Sequence, residues 1–187
     1  LVKELAQNGY DPDEVIGIDN NESELFFQEQ QYLDCPNVHF SLADVRDPGC
    51  ITPLFRGVDV VLHCAAYKHV IMCERSPRVA VDTNIHGVQT VISAALENGV
   101  GKVLFTSTDK AVNPTNVMGT SKLMGERLMT AANSRLRTTG PIFASTRFGN
   151  VLGSRGSVIP VFREQIRLGG PVTLTDPGMT RFIMSTK

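Results

Sequence analysis

Hydroxyl, carboxylate and amine side chains lie together in the segment Thr106-Ser107-Thr108-Asp109-Lys110, directly after an apolar run. Adjacent Asp109 and Lys110 can pair, each keeping the other charged. A desolvated lysine can also fall in pKa far enough to act as a base. The segment therefore fits proton transfer by a neighbouring acid and base. The alternative is a helix N-cap cluster, because Ser, Thr and Asp are all good caps.

Two further side chains, Met118 and Lys122, follow in Met118-Gly119-Thr120-Ser121-Lys122. They are four residues apart, so on a helix they share one face. A thioether has no proton to transfer, whereas an amine can donate hydrogen bonds and carry charge. The spacing predicts a helix that carries Met118 and Lys122 on the same face.

Acidic and small residues follow the other apolar runs. Asp19 ends the run Glu14–Asp19, Asp44 follows Val38–Leu42, and Ala65 and Ala66 follow Asp59–Cys64. In nucleotide-binding α/β sheets the ligand lies at the carboxyl ends of the strands. There Asp19 could accept hydrogen bonds from ribose hydroxyls, Asp44 could meet an adenine amino group, and the alanines would let a dinucleotide approach the backbone. The alternative for Asp19 is an ordinary turn residue in Asp-Asn-Asn.

The elements that must position these residues alternate between strand and helix. Short continuous apolar runs are typical of strands buried on both faces of a parallel sheet. Helical spacing separates them, so we predict an α/β fold with a doubly wound parallel sheet. The predicted strands are Glu14–Asp19, Val38–Leu42, Asp59–Cys64, Lys102–Ser107 and Ile142–Phe148. The predicted helices are Leu1–Gly9 (as the tail of a helix), Arg78–Asn98, Thr115–Asn133 and Val158–Leu168.

Composition narrows the function classes. Among 187 residues, 18 Lys and Arg against 19 Asp and Glu give a formal net charge of −1, which lacks the basic excess of a nucleic-acid binder. No apolar run reaches the roughly 18 residues of a membrane span. The four cysteines show no C-x-x-C spacing and indicate reduced thiols of a cytoplasmic protein. The four histidines show no metal-ligand spacing, so we expect no metal site.

The segment Ser107 to Gly119 resembles the bacterial polysaccharide-biosynthesis branch of the short-chain dehydrogenase/reductase superfamily. A strand ending in Ser/Thr, followed by a helix with Tyr-x-x-x-Lys, is typical of that superfamily. The branch comprises nucleotide-sugar 4,6-dehydratases acting on UDP-N-acetylglucosamine, and here Met118 takes the Tyr position, as in one subgroup. The resemblance covers essentially the whole chain, and further strings carry it: Ala65–Val70, Asn84–Gly87, Arg147–Pro160 and Met179–Phe182.

The resemblance implies a Rossmann-like fold and removal of water across C5 and C6 of the sugar, giving a 4-keto-6-deoxy product. Lys110 would be the C5 base, Asp109 the acid that releases water, and Thr108 would take the superfamily's hydroxyl position. Met118 cannot relay the C4 hydroxyl proton as Tyr does, so Thr108, Asp109, Lys122 or a water must do so; Met118 itself is expected to pack. The cofactor would be NAD or NADP, and its expected contacts are Asp19, Asp44, Val45, Ala65, Ala66, Lys68, Asn84 and Lys122.

The expected partner is a UDP-sugar. We expect no binding of nucleic acid and no membrane contact from this segment, and the sequence leaves open whether the protein forms a homo-oligomer. Guanidinium groups suit a diphosphate because their fork binds two oxygens at once. The alternative for Arg155 and Arg181 is a solvated surface charge. The expected substrate contacts are Asn150, Arg155, Ser157, Val158 and Arg181.

We expect residues 1–150 to form a partial dinucleotide-binding domain that lacks its first strand and glycine-rich loop. Residues 151–187 would begin a smaller, truncated substrate-binding region. On this view the chain is an internal fragment that alone binds cofactor poorly, and the full-length protein is cytoplasmic or anchored to the inner membrane by another segment. Two alternatives are a nucleotide-sugar 4-epimerase, which needs no acid–base pair at C5 and C6, and a non-catalytic nucleotide-sugar binding module.

Overall fold

A computed structural model describes residues 2, 5, 12–135, 140–154 and 156–185 of the chain. All five predicted strands are present, with ends within a residue or two of the predicted ones. They are β1 (Val15–Asp19), β2 (Val38–Leu42), β3 (Val60–His63), β4 (Lys102–Thr108) and β5 (Ile142–Phe148). Two short strands that the sequence did not predict are β6 (Asn150–Val151) and β7 (Ile183–Met184).

Helices alternate with the strands, as the sequence predicts. The predicted helix tail lies outside the described residues except for Val2 and Leu5, which are helical. The helices are α1 (Glu22–Gln31), α2 (Pro48–Leu54), α3 (Val70–Arg75), α4 (Pro77–Val81), α5 (Gly87–Asn98), α6 (Val117–Arg135) and α7 (Val158–Arg167). A π-helical turn, Asp82–His86, joins α4 to α5, and a 3₁₀ turn, Asp109–Ala111, follows β4.

The sequence analysis did not predict α1, α2 and α3. Helix α1 buries no residue, so its sequence shows no apolar stripe. It is fixed by its cap, because Asn21 Oδ1 accepts from the Glu24 N–H at 3.2 Å. Helices α2 and α3 have only seven and six residues, and α2 carries Pro53. Such short helices are held by tertiary packing and show little periodicity.

Every strand pairing is parallel. Strand β1 pairs with β2, from Val15 opposite Val38 to Asp19 opposite Leu42. Strand β4 lies between β3 and β5, and β6 pairs with β7. The described strands therefore form three parallel groups, and the Rossmann-like α/β arrangement of the main groups confirms the predicted fold class. Burial on both faces is less complete than predicted, because β4 alternates buried and half-buried residues and β5 exposes most of its side chains.

One apolar core joins the two larger groups. Helix α5 supplies Val88, Val91, Ala94 and Ala95, and its end is fixed by Gly99 at φ 68°, a left-handed conformation that glycine adopts without strain. The other buried members come from the end of β2, from α2, β4, α6 and β5: Ala43, Ile51, Phe55, Val100, Val103, Phe105, Met129, Ala132 and Phe143. This core fixes the strand ends at which the candidate residues lie.

Candidate active site

Thr108, Asp109 and Lys110 meet at the carboxyl end of β4, where the chain leaves the strand for the 3₁₀ turn. The Thr108 hydroxyl donates to Asp109 Oδ1 at 2.9 Å, and Lys110 Nζ donates to the same oxygen at 3.0 Å. The Lys110 N–H returns to Thr108 Oγ1 at 3.3 Å, so Thr108 also caps the turn. The three side chains form one hydrogen-bonded unit that caps the turn, and proton transfer by this unit stays a prediction.

Asn150 joins this unit from forty residues further along the chain. Its Oδ1 accepts from Lys110 Nζ at 3.2 Å. Strand β6 carries Asn150 and is paired with β7, and the Asn150 N–H donates to the carbonyl of Phe182, just before β7, at 2.7 Å. A residue predicted to contact substrate thus lies in direct contact with the predicted base.

The charge state of the pair follows from these contacts. Burial raises the pKa of Asp109, but the Lys110 ammonium and the Thr108 hydroxyl outweigh it, so the pKa lies below its usual value. Asp109 is therefore a carboxylate at neutral pH and is ion-paired with Lys110, and about a quarter to a third of each side chain is exposed. The resting site holds an ion pair that solvent and a ligand can reach.

Lys122 is buried beside β4 by α6, and only 6% of it is exposed. Its Nζ donates to the Thr106 carbonyl at 2.8 Å and lies 4.6 Å from the centre of the Phe105 ring. Burial lowers the pKa of Lys122 to about 8, although the ring face favours the charged amine. The amine is anchored to β4, two residues before Thr108.

The side chains of Met118 and Asn84 are both buried inside the protein, as expected for Met118 and contrary to the expectation for Asn84. Met118 is 4% exposed and packs with Cys73 and Ala80, so it fills space. Asn84 is 1% exposed, and its amide makes three bonds: it accepts from the Tyr67 N–H at 2.8 Å and donates to the Tyr67 carbonyl at 3.0 Å and to Ser121 Oγ at 2.9 Å. The expected direct contact between Asn84 and a cofactor has no room, and Asn84 instead ties the loop after β3 to α6.

The first turn of α6 is seated on the candidate site. A Cβ on Gly119 would collide with the Lys110 carbonyl oxygen and lie 3.2 Å from Pro114 Cβ. Two N–H groups of this turn are bonded by side chains: that of Gly119 by Asn116 Oδ1 at 2.8 Å, and that of Val117 by Glu74 Oε1 at 2.6 Å. Gly119 therefore permits a contact that sets where Lys110 stands.

The predicted cofactor contacts lie along the neighbouring strand ends. Asp19 is exposed, and its Oδ1 accepts from the Asn21 N–H at 2.9 Å, which leaves Oδ2 for a ligand. Val45 is half-buried against the core and approaches Gly87, where a Cβ would lie 2.9 Å from Cγ2 of Val45. In the loop after β3, Ala65 and Lys68 are exposed and Ala66 is half-buried.

Asp44 lies in a network that the sequence analysis missed. Its carboxylate accepts from Arg46 Nε at 2.9 Å, from Arg46 Nη2 at 2.6 Å and from Asn20 Nδ2 at 3.1 Å. These contacts hold the pKa of Asp44 well below its usual range, chiefly through the Arg46 side chain. The sequence signal was the acid and base two residues apart in Asp44-Val45-Arg46. The contact of Asp44 with an adenine amino group stays a prediction.

The predicted substrate contacts are only partly brought together. Arg155 lies outside the described residues. Ser157 precedes α7, with its Oγ buried and unbonded among the described atoms, and Val158 is exposed at the first position of the helix. Arg181 is exposed, and its Nη1 donates to the Thr180 carbonyl at 2.7 Å.

A contact between two loops was also missed. Gly156 has φ 70°, and a Cβ there would lie 2.9 Å from His69 Cε1. The imidazole of His69 therefore packs on the loop before α7, next to Ser157.

Among the residues that the structure describes, no helix combines the length and apolarity that a membrane crossing requires. Within the same residues, no group of three or more His, Cys, Asp or Glu side chains is placed to hold a metal ion.

Known proteins resemble the chain along its whole length. The family described as polysaccharide biosynthesis protein matches residues 1–187. An uncharacterized membrane protein of Methanocaldococcus jannaschii is 47% identical over 185 residues, 99% of this chain and 55% of that protein. The inverting UDP-N-acetylglucosamine 4,6-dehydratase of Campylobacter jejuni is 42% identical over 184 residues, 98% of this chain and 54% of that protein. The UDP-glucose 4-epimerase of Rickettsia canadensis is 47% identical over 154 residues, 82% and 45% of the two chains.

Solved structures give the same picture. Pen from Bacillus thuringiensis superposes with a TM-score of 0.91 at 42% identity, covering 93% of this chain and 54% of that one. The dTDP-glucose 4,6-dehydratase DesIV from Streptomyces venezuelae, solved with NAD bound, gives a TM-score of 0.86 at 27% identity, covering 99% and 63%. The chain spans about half the length of the curated relatives it matches. By sequence over its full length, the chain belongs to the polysaccharide biosynthesis protein family.

Proposed function

We propose that the chain forms the cofactor-binding and catalytic part of a nucleotide-sugar 4,6-dehydratase that acts on UDP-N-acetylglucosamine. One observation carries the proposal: the Asp109–Lys110 pair, with its 3.0 Å contact, is bound on one side to Thr108 and on the other to Asn150. Dehydration needs a base at C5 and an acid at C6 in neighbouring positions. The dehydratase of Campylobacter jejuni at 42% identity supports the same assignment.

The transfer of one proton within the ion pair can make Lys110 a base and Asp109 an acid. Moving a proton from Lys110 Nζ to Asp109 Oδ1 along the 3.0 Å hydrogen bond gives a neutral amine and a carboxylic acid. The amine then removes the C5 proton while the acid protonates the departing C6 hydroxyl. Lys110 ends as an ammonium and Asp109 as a carboxylate, so the elimination restores the resting ion pair. The Lys110 ammonium, about a third of whose side chain is exposed, then exchanges its protons with solvent before it returns one to C5.

A nicotinamide dinucleotide fits the strand-end residues. The free Oδ2 of Asp19 can accept from ribose hydroxyls, and the small side chains of Ala65 and Ala66 leave the backbone after β3 open to approach. The nicotinamide would supply the oxidation at C4 and the reduction at C6. Lys122 places a buried amine next to Thr106, where it can hold a ribose hydroxyl at the far end of the same edge.

The thioether of Met118 cannot accept the proton of the C4 hydroxyl, so another group must do so. Thr108 Oγ1 lies 2.9 Å from Asp109 Oδ1 in the partly exposed unit, so a proton accepted by Thr108 can pass to solvent, because Asp109 takes its own proton from Lys110. We propose Thr108 as the relay. We also propose that Asn150, Ser157, Val158 and Arg181, with Arg155, hold the UDP-sugar, and that the catalytic part faces the cytoplasm.

A 4-epimerase is the competing function, because the Rickettsia canadensis relative carries that name at 47% identity. Epimerisation at C4 needs no proton transfer at C5 or C6, so it leaves Lys110 without a task. In a non-catalytic binding module, the hydrogen-bonded unit of Thr108, Asp109, Lys110 and Asn150 would have no catalytic task.

The test is product identification with the intact protein, UDP-N-acetylglucosamine and NAD. We expect a product lighter than the substrate by one water and carrying a 4-ketone. Lys110→Met and Asp109→Asn should each lower its formation by roughly a hundredfold or more, since each removes one proton-transfer group. A product of unchanged mass, or equal rates in both variants, would refute the proposal.

A further inference from the structure

Strand β5 is held in place mainly by polar contacts. In the part of the chain that the structure describes, Phe143 is its only core residue, and most of its other side chains are exposed. A strand with so little apolar burial has a weakly specified register, and a slip of one residue would turn each of its side chains to the other face. The register of β5 must therefore come from its backbone ladder with β4 and from its contacts with α6.

Helix α6 contacts β5 at two polar points. Near the start of the strand, the Asn133 side-chain amide donates to the Phe143 carbonyl, and Asn133 Oδ1 accepts from the Phe143 N–H at 2.9 Å. Near the end of the strand, Arg147 Nε and Nη2 donate to the two carboxylate oxygens of Glu126 at 2.8 and 2.7 Å. The two contacts are seven residues apart on the helix and four apart on the strand, so together they fix β5 along its length.

The Glu126–Arg147 contact is a two-pronged ion pair. Such a pair fixes the plane of the guanidinium as well as its position. The Glu126 side chain is 13% exposed, whereas that of Arg147 is 45% exposed. The Arg147 guanidinium holds the pKa of Glu126 below its usual value, although burial acts in the opposite direction, so Glu126 is a carboxylate at neutral pH. A mostly buried charge on α6 thus holds a residue at the exposed end of β5.

The register that this ion pair fixes leads directly to the proton-transfer pair. The last pair of the β4–β5 ladder, Thr108 opposite Phe148, joins residues forty positions apart, and Phe148 follows Arg147 directly. Lys110 and Asn150 have the same separation, and Lys110 Nζ donates to Asn150 Oδ1 at 3.2 Å. The Lys110–Asn150 contact therefore continues the β4–β5 register beyond the end of the ladder.

We propose that Glu126 is a positioning residue for proton transfer, an inference that rests on the proposed dehydratase activity. By holding Arg147, Glu126 fixes the carboxyl end of β5 and keeps Asn150 within hydrogen-bond distance of Lys110 Nζ. Asn150 in turn fixes where this amine stands relative to the sugar. When the charge of Glu126 is removed, Arg147 is released and the end of β5 can shift along β4. Lys110 then loses Asn150 and keeps Asp109 as its partner.

The experiment measures kcat and KM of the intact protein with UDP-N-acetylglucosamine and NAD, with enzyme in excess over substrate where a variant is slow. Glu126→Gln keeps the shape of the side chain and removes its charge. We expect kcat to fall roughly tenfold or more, because small displacements of a proton-transfer group are costly. Arg147→Lys keeps the positive charge but loses the two-pronged contact, so it should give a similar fall. It also decides the question if Glu126→Gln folds poorly.

A double-mutant cycle separates positioning from a general loss of structure. In Asn150→Ala, the contact through which Glu126 acts is already absent, so adding Glu126→Gln should lower kcat by less than about twofold further. A further fall as large as that in the wild-type background would show that the ion pair acts independently of Asn150, and would overturn the proposal. An unchanged kcat in both Glu126→Gln and Arg147→Lys would overturn it too.

Glu164→Gln is the matched control. Glu164 forms the same kind of two-pronged ion pair with Arg167, at 2.8 and 2.6 Å, but both residues lie on α7. Its loss should leave kcat within about twofold of the wild type, since this exposed pair holds no strand. A fall as large as that of Glu126→Gln would mean that the loss of any such ion pair slows the enzyme, and would contradict a positioning role.

The wild type separates this proposal from the proposed function. A wild type that forms no dehydrated product refutes the dehydratase activity itself. An active wild type whose kcat does not respond to these substitutions as expected refutes only the positioning role of Glu126.

Discussion

At the scale of single residues, the candidate site depends on which charges are paired and which are buried. Lys110 Nζ donates hydrogen bonds to the Asp109 carboxylate and to Asn150 Oδ1. Lys122 is buried, and its Nζ donates to the backbone carbonyl of Thr106. The two lysines therefore suit different tasks. Lys110 can exchange a proton with its neighbour, and Lys122 can hold a fixed position at β4.

Burial of Lys122 predicts a specific pH dependence of stability. Its pKa is about 8 in the folded protein against 10.5 for a free lysine, so the unfolded chain binds more protons between these values. The cost of burying the charged amine is present in full below pH 8 and fades as the pH rises towards 10.5. Stability relative to Lys122→Met should increase by about 2 kcal/mol between pH 7 and pH 9.5.

Urea unfolding of both proteins at each pH measures this difference. Between pH 6 and pH 7 the difference should stay flat, because Lys122 is protonated in both states there. If the difference in free energy of unfolding between the two proteins does not change up to pH 9.5, burial does not lower the pKa of Lys122.

At the scale of elements, α6 and the π-helical turn fix the loop after β3 and the 3₁₀ turn that carries Lys110. The π-helical turn brings Asn84 to the Tyr67 backbone and to Ser121 on α6, and a buried amide with both partners satisfied fixes the loop after β3. The sequence predicted the helix Arg78–Asn98 as continuous, and nothing in its apolar spacing distinguished a π turn from an α turn.

Gly119 carries the tightest of these contacts, which makes Gly119→Ala a test of positioning. The added methyl would collide with the Lys110 carbonyl, so the 3₁₀ turn must move. We expect a loss of about 1–3 kcal/mol in the free energy of unfolding, as for overpacked sites. We also expect turnover to fall roughly tenfold or more with little change in KM, because Lys110 is displaced from its proton-transfer geometry.

Thr120→Ala is the control for this substitution. Thr120 is exposed on the same turn, and its hydroxyl donates to the Asn116 carbonyl at 2.9 Å, so its removal does not crowd Lys110. Equal turnover losses in both variants would mean that the helix start, and not the seating on Lys110, controls activity.

At the scale of the whole molecule, the fold gathers polar strand ends along an edge. The sequence predicted the five strands, the Asp109–Lys110 pair and the position of Asp19 at the end of β1 from local patterns. It could not predict that Asn150 contacts Lys110 or that Asn20 bridges to Asp44, because both contacts join residues at least 24 positions apart. It also placed Asn84 in the ligand site, since burial depends on packing that a single sequence does not display.

The central claim is that Lys110 removes a proton from C5 of the sugar, and isotope exchange tests it most directly. The intact protein is incubated with UDP-N-acetylglucosamine and NAD in deuterated water, and the product is analysed by NMR and mass spectrometry. The account predicts a 4-keto-6-deoxy product with deuterium at C5, lost in Lys110→Met. A C4 epimer without deuterium at C5, or labelled product formed equally well by Lys110→Met, would contradict it.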